Sequence, residues 1–211
     1  MRSADASTII RTGIILFVIY LILVKADPLI SIALLAFAFI MDGVDGFLAL
    51  SEESKGKITL RMYVSYSLGN KRYAKKIKDT KNGIEKSARY GPRFDVAADR
   101  ISEYSFWALF TFVGILPFFL LVIVIIRHSI ADAFLGTKGT SSKMKTGIAS
   151  ALYASSISRA GVNVLKFVTF SYLILAYVSS YPLLPAYALS ALLVIFIVAR
   201  GAAEVYESIK D

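Results

Sequence analysis

FVTFSYLILAYVSSYPLLPAYALSALLVIFIVA, residues 167–199, contains no charged side chain. A helix of ~20 mostly apolar residues crosses the hydrocarbon core of a bilayer. This stretch exceeds one crossing, and Tyr181-Pro182 and Pro185 interrupt it. Tyr104 to Ile126 is equally free of charge. Runs of this length do not belong to a soluble core. Composition agrees: 56% of the 211 residues are hydrophobic and 18% are charged, against about a quarter charged in ordinary soluble domains. The mean hydropathy is +0.64. The chain has no Cys, which excludes disulfides and thiolate metal sites. No small-residue cleavage site follows the first apolar run, so the N-terminus does not read as a cleavable signal.

The pattern predicts an all-α integral membrane protein with six transmembrane helices, forming a single domain over residues 1–211. The first span runs from about Ser7 to Val24, with Asp27-Pro28 marking the turn after it. The second runs from Leu29 to about Leu50. Gly91 to Leu135 accommodates two spans, broken at Gly114-Ile115-Leu116-Pro117. The fifth runs from Gly147 to about Val178, and the sixth ends near Ala199.

Lys and Arg accumulate in cytoplasmic loops. Here they crowd residues 51–90 (Lys55, Lys57, Arg61, Lys71, Arg72, Lys75, Lys76, Lys78, Lys81, Lys86 and Arg89) and recur at Lys138, Lys143 and Lys145. The opposite side holds only Lys25. Both termini are therefore expected in the cytoplasm. The 51–90 segment reads as a basic cytoplasmic loop against anionic headgroups, helical from about Lys71 to Glu85. A loop this close to the membrane is not expected to bind nucleic acid.

Carboxylates within spans are costly and mark functional sites. Asp42 and Asp45 lie three apart near the end of the second span, and Asp95 and Asp99 lie four apart at the start of the third. Both spacings put a pair on one helical face. Four carboxylates converging from neighbouring helices need counter-charge, and hard oxygen donors suit Mg²⁺, Mn²⁺ or Ca²⁺. Gly43, Gly46 and Gly91 accompany the pairs and permit close approach of a backbone or ligand.

The stretch Asp42-Gly43-Val44-Asp45-Gly46-Phe47-Leu48-Ala49, followed by Gly91-Pro92-Arg93-Phe94-Asp95-Val96-Ala97-Ala98-Asp99, resembles the signature of the CDP-alcohol phosphotransferases, D-x-x-D-G-x-x-A-R and then G-x-x-x-D-x-x-x-D. Thr8 to Arg11 is similar to that family's N-terminal T-x-x-R element. Two features depart from the pattern. Leu50 stands where the family has Arg, and about 32 residues are inserted between the halves, so that residues 51–88 form a basic cytoplasmic insertion. The resemblance implies a homodimeric membrane enzyme of phospholipid synthesis that transfers a phosphate-linked alcohol from a CDP-alcohol to an acceptor hydroxyl and releases CMP. It implies that Asp42, Asp45, Asp95 and Asp99 hold two divalent ions, Mg²⁺ or Mn²⁺. Asp99 would also act as general base, with Thr8, Arg11, Gly46, Ala49 and Gly91 binding the CDP donor.

Basic residues of the later spans suggest the second substrate. Arg127 lies near the cytoplasmic end of the fourth span, with Asp132 as its competing partner. Arg159 and Lys166 lie seven apart, on one face of the fifth. Lys143-Met144-Lys145-Thr146 resembles the family's G-x-x-K-T loop. Arg127, Lys145, Arg159 and Lys166 are expected to form a pocket for a small anionic acceptor of the glycerol phosphate or inositol phosphate type. His128 reads as a packing residue. The donor is expected to be a CDP-linked lipid, diacyl or ether, in the cell membrane, with the site at the cytoplasmic side. Two other readings stay open: a CDP-amino-alcohol donor with a lipid acceptor, and a membrane ion transporter built on the four carboxylates.

Overall fold

A computed structural model of the chain describes residues 3–67, 70–77, 79–80, 91–138 and 156–210, and every regular element among them is helical. They are α1 (Ser3–Leu23), α2 (Pro28–Glu53), α3 (Leu60–Ser67), α4 (Gly91–Phe112), α5 (Phe118–Lys138), α6 (Ser156–Val178) and α7 (Leu183–Lys210), with a 3-10 turn at Lys71–Tyr73. Four helical stretches, Asp5–Leu23, Pro28–Glu53, Ala160–Val178 and Leu183–Tyr206, are long and apolar enough to cross a membrane. Large apolar side chains cover the outer surface, with Phe112, Leu184 and Leu29 among the most exposed. Such a surface suits hydrocarbon, and helices satisfy their own backbone there.

Local signals set the helix ends. Asp27 caps α2, its carboxylate accepting from the Leu29 N–H at 2.8 Å, and Pro28 opens the helix where its missing N–H costs nothing. Gly114, at φ +76°, and Pro117 separate α4 from α5. Pro185 does not interrupt: it sits in the first turn of α7, where an N–H has no intrahelical acceptor. α7 also continues beyond Ala199 to Lys210, because Arg200 and Glu204 bond to neighbouring helices instead of ending the apolar face. The start proposed for the fifth span at Gly147 lies outside the described residues.

The six long helices close into a ring in the order α1, α2, α6, α7, α5, α4, each packed on two neighbours. Trp107, Phe106 and Phe110 of α4 fill its middle against Phe170, Leu173 and Ile174 of α6. Phe106 stacks on Phe170 with ring centroids 4.8 Å apart. From α1 and α2, Val18, Ile22 and Leu35 complete this core. Trp, Phe and Leu positions so close-packed anchor the helices in one register.

The inserted segment is ordered where it is described. α3 was not anticipated from the sequence; in the region expected to be helical, residues 74–77 and 79–80 are helical after the 3-10 turn, and 81–85 lie outside the described residues. Leu50, Ile58 and Ile77 form a second, small core with Tyr63, Tyr66 and Tyr73 packed on it. The Lys76 ammonium donates to the Lys57 carbonyl at 2.7 Å and closes the lobe. Leu50→Ala removes the keystone of this cluster, a change that costs ~2–5 kcal/mol in a packed core. Trypsin is expected to cut at the exposed Lys57 and Lys76 at least about tenfold faster in this variant, with the long helices remaining protected.

Candidate metal centre

α1 supplies the hub of the site. Thr8 and Arg11 lie one turn apart on its inward face and are buried. The Arg11 guanidinium pairs with Asp42 of α2 and lies 3.2 Å from Asp95 and 2.9 Å from Asp99, both of α4. Its Nε stands 3.8 Å from the Asp45 carboxylate. The Thr8 hydroxyl donates to Asp45 at 3.4 Å. The spacings of three on α2 and four on α4 therefore bring all four carboxylates around one guanidinium, as helical periodicity requires once those helices flank α1.

The donor set fits a hard divalent cation. Asp42, Asp95 and Asp99 each present an oxygen within 4.8 Å of the others. Asp45 is 5% exposed, and its Oδ1 is buried without a hydrogen-bond partner. An unpartnered buried carboxylate oxygen is costly, and one guanidinium balances only one of four negative charges. Carboxylate oxygens without nitrogen or sulfur donors suit Mg²⁺ or Mn²⁺. Asp45 is the innermost of the four, whereas the side chains of Asp95 and Asp99 are about half exposed, at 50% and 47%. The group is thus open on the α4 side.

The other expected residues fall in distinct places. Gly46 lies beneath the inserted lobe: a Cβ there would stand 2.7 Å from the Tyr63 hydroxyl. Ala49 is half-buried on α2, and Gly91 is the first residue of α4. Leu50 is 2% exposed in the small core, so its side chain is turned away from any ligand. Lys145 lies outside the described residues. Arg159 belongs to α6, but its side chain lies outside the described ones.

Lys166 and Arg127 both have acidic partners. Lys166 donates to Glu103 at 2.5 Å. Arg127 donates to Glu204 at 3.0 Å and to the Ile197 carbonyl at 2.8 Å, pressed against Gly201, where a Cβ would meet its Nε at 2.6 Å. Asp132 pairs with Arg100 through two bonds of 2.8 Å, not with Arg127. His128 is buried 3.6 Å from Glu103 and beside the Tyr104 ring.

Two cavities meet at this layer. One of about 70 Å³ lies between Arg11, Asp42, Asp99, Glu103 and Lys166. The other, about 250 Å³, is walled by Asp99, Arg100, Arg127, Lys166 and Arg200. Asp99, Asn163 and Lys166 line both. Sequence reasoning passed over Glu103, Arg200 and Glu204. Glu103 was legible, since it follows Asp99 by four and shares its face. Arg200 and Glu204 were hidden by ending the last span at Ala199.

Comparison of the chain with protein-family models, with curated proteins and with solved structures returned no match.

The Arg127–Glu204 pair yields a direct test. Its side chains are 10% and 2% exposed, and removing one member of such a pair costs ~3–5 kcal/mol because the other stays buried and charged. Arg127→Met is expected to lower the unfolding temperature in detergent by several degrees. Arg127→Met combined with Glu204→Leu is expected to recover most of that loss, since an apolar replacement leaves no orphaned charge.

Proposed function

We infer that the chain is a CDP-alcohol phosphotransferase, and the convergence of Asp42, Asp45, Asp95 and Asp99 on one point is the observation that carries this reading. It sits in the membrane with six spans, both termini cytoplasmic, and the carboxylates at the cytoplasmic face. It works as a homodimer. Two divalent ions, Mg²⁺ or Mn²⁺, when bound, neutralise and clamp a diphosphate. Asp42, Asp45, Asp95 and Asp99 would hold them. Arg11 and Thr8, already on this cluster, orient the donor's phosphates, and Ala49 and Gly91 leave room for its nucleotide. The apolar outer surface admits lipid chains, so the donor is a CDP-linked lipid.

Asp99 lines both cavities, so an acceptor entering from the larger one meets it at the phosphorus. Asp99 accepts the proton of the acceptor hydroxyl. The acceptor oxygen forms its bond to the lipid-side phosphorus in line, the bond from that phosphorus to the bridging oxygen breaks, and CMP leaves with the electron pair. Arg100, Arg127, Lys166 and Arg200 surround the larger cavity. Together with Arg159 and Lys145 they favour an acceptor that carries its own phosphate.

The experiment is metal-dependent CMP release from a CDP-lipid by the purified chain, across a panel of acceptors. Asp45→Asn is expected to abolish release while leaving the fold intact. Asp99→Asn is expected to bind the donor normally and lose ~10²–10⁴-fold in turnover. Arg159→Ala is expected to raise the Michaelis constant for the phosphorylated acceptor far more than for the donor. Transport of a cation without CMP release, or near-normal release by Asp45→Asn, overturns the reading.

A further inference from the structure

The inserted lobe stands at a definite depth. Tyr63 of α3 lies over Gly46, where a Cβ would meet its hydroxyl at 2.7 Å, and its ring packs on Phe47 with centroids 6.0 Å apart. Gly46 follows Pro28, the first residue of α2, by 18 positions, about 27 Å of helix at ~1.5 Å per residue. The hydrocarbon core of a bilayer is about 30 Å thick. A span that enters at Pro28 therefore reaches the opposite headgroup boundary where α3 is docked. Charge counting sets the inserted segment on one side of the membrane, and the depth of α3 is what its packing adds.

At this depth α3 is two-faced. Tyr63 and Tyr66, three apart, pack on the small core of Leu50, Ile58 and Ile77. Leu60 and Val64, four apart, are exposed at 54% and 45%, and the exposed Ser67 continues their face. Lipid accounts for exposed apolar side chains on the spanning helices, but α3 has eight residues and cannot cross. Arg61, between the apolar pair in the chain, is exposed, as are Arg72, Lys75 and Lys76 of the same lobe. Residues 51–80 hold eight Lys and Arg against three acidic residues. Such a surface repels a second copy of itself and suits a negatively charged one.

We propose that α3 is an interfacial anchor: Leu60 and Val64 seat at the headgroup boundary of the membrane that α2 spans, and Arg61 with the lobe's other basic side chains binds anionic lipid headgroups. Apolar residues on one face and basic residues beside them are what hold a helix in the plane of an anionic interface. This inference rests on α2 spanning the bilayer and not on the phosphotransferase reading.

The test uses the full chain in vesicles of phosphatidylcholine, alone or with about one-third phosphatidylglycerol. The chain has no Cys, so Ser67→Cys carries a single NBD label on the outer face of α3 and leaves Leu60, Arg61 and Val64 in place. Quenching by a nitroxide lipid labelled at headgroup level is expected to be at least about threefold stronger with the anionic lipid than without it, and to weaken as salt is added. Arg61→Glu with Arg72→Glu should abolish the difference between the two lipids. Leu60→Ser with Val64→Ser should cut the quenching at least about twofold in the anionic vesicles, while trypsin digestion in detergent stays at the wild-type rate. Equal quenching in the two lipids, or none in either, overturns the proposal, and neither outcome depends on the substituted lobes. A blue-shifted label that no nitroxide lipid quenches, and that follows protein density in the vesicle, also overturns it and gives the face to a second copy of the chain.

Discussion

Four carboxylates gathered around one guanidinium repel one another, and the placement of α1, α2 and α4 answers that repulsion. The cost is largest at the buried Asp45, and cations in the midst of the group offset it. Arg11 is the cation the chain itself provides. By reaching Asp42 and Asp45 on α2, and Asp95 and Asp99 on α4, it makes α1 the element on which the other two are oriented. Thr8, one turn away, adds the second polar contact to the innermost member, Asp45. The charges that remain unbalanced, and the unpartnered Asp45 oxygen, are why the group is read as a centre for divalent ions and not as a structural ion pair.

The same logic extends around the ring. Successive helices are joined on their inner faces by pairs that include a basic residue. Arg100 meets Asp132 between α4 and α5, and Arg127 meets Glu204 between α5 and α7. Arg200 donates to Ser158 between α7 and α6. Lys166 and Glu103 join α6 to α4 across the ring. Among the described residues, the α2–α6 seam is held by rings, Phe39 against Phe167. Outside, the same helices present Leu, Ile and Phe. A chain whose outer surroundings are apolar keeps its charges inside, where each must be partnered. These partnered charges make two cavities with opposite characters, one acidic and one basic, sharing Asp99 and Lys166 as a common wall.

What the sequence made legible follows from period. Apolar runs and the breaks at Gly114-Pro117 and Pro182 located most long helices, because those signals are local. The Asp pairs were legible because spacings of three and four are helical neighbours whatever the tertiary fold. Partner choice was not legible. Arg127 was expected in the acceptor pocket, with Asp132 as the competing partner, yet it pairs with Glu204, 77 positions away, because α7 runs on as a helix past the apolar stretch. No periodicity encodes which helix stands beside which. α3 was missed for a different reason: its eight residues are too few for an apolar stripe to register, and it is held by Leu50, Ile58 and Ile77 rather than by its own propensity.

The basic segment between α2 and α4 can be weighed energetically. Lengthening a connection from the ten positions of the signature to the 42 between Ala49 and Gly91 amounts to about two doublings, or roughly 1.2 kcal/mol of closure entropy. Burying one leucine side chain returns ~1.5–3 kcal/mol, and Leu50 is buried at the first position of the insertion's own small core. Leu50 and the chain that follows it therefore pack as one unit. A charged side chain at 50 would have no place in that core, which Leu50 ties to α2 together with the Phe47–Tyr63 ring contact. With the anchor in place, the added segment is held against the face that carries Asp42 and Asp45, and Gly46 supplies the one gap into which it fits.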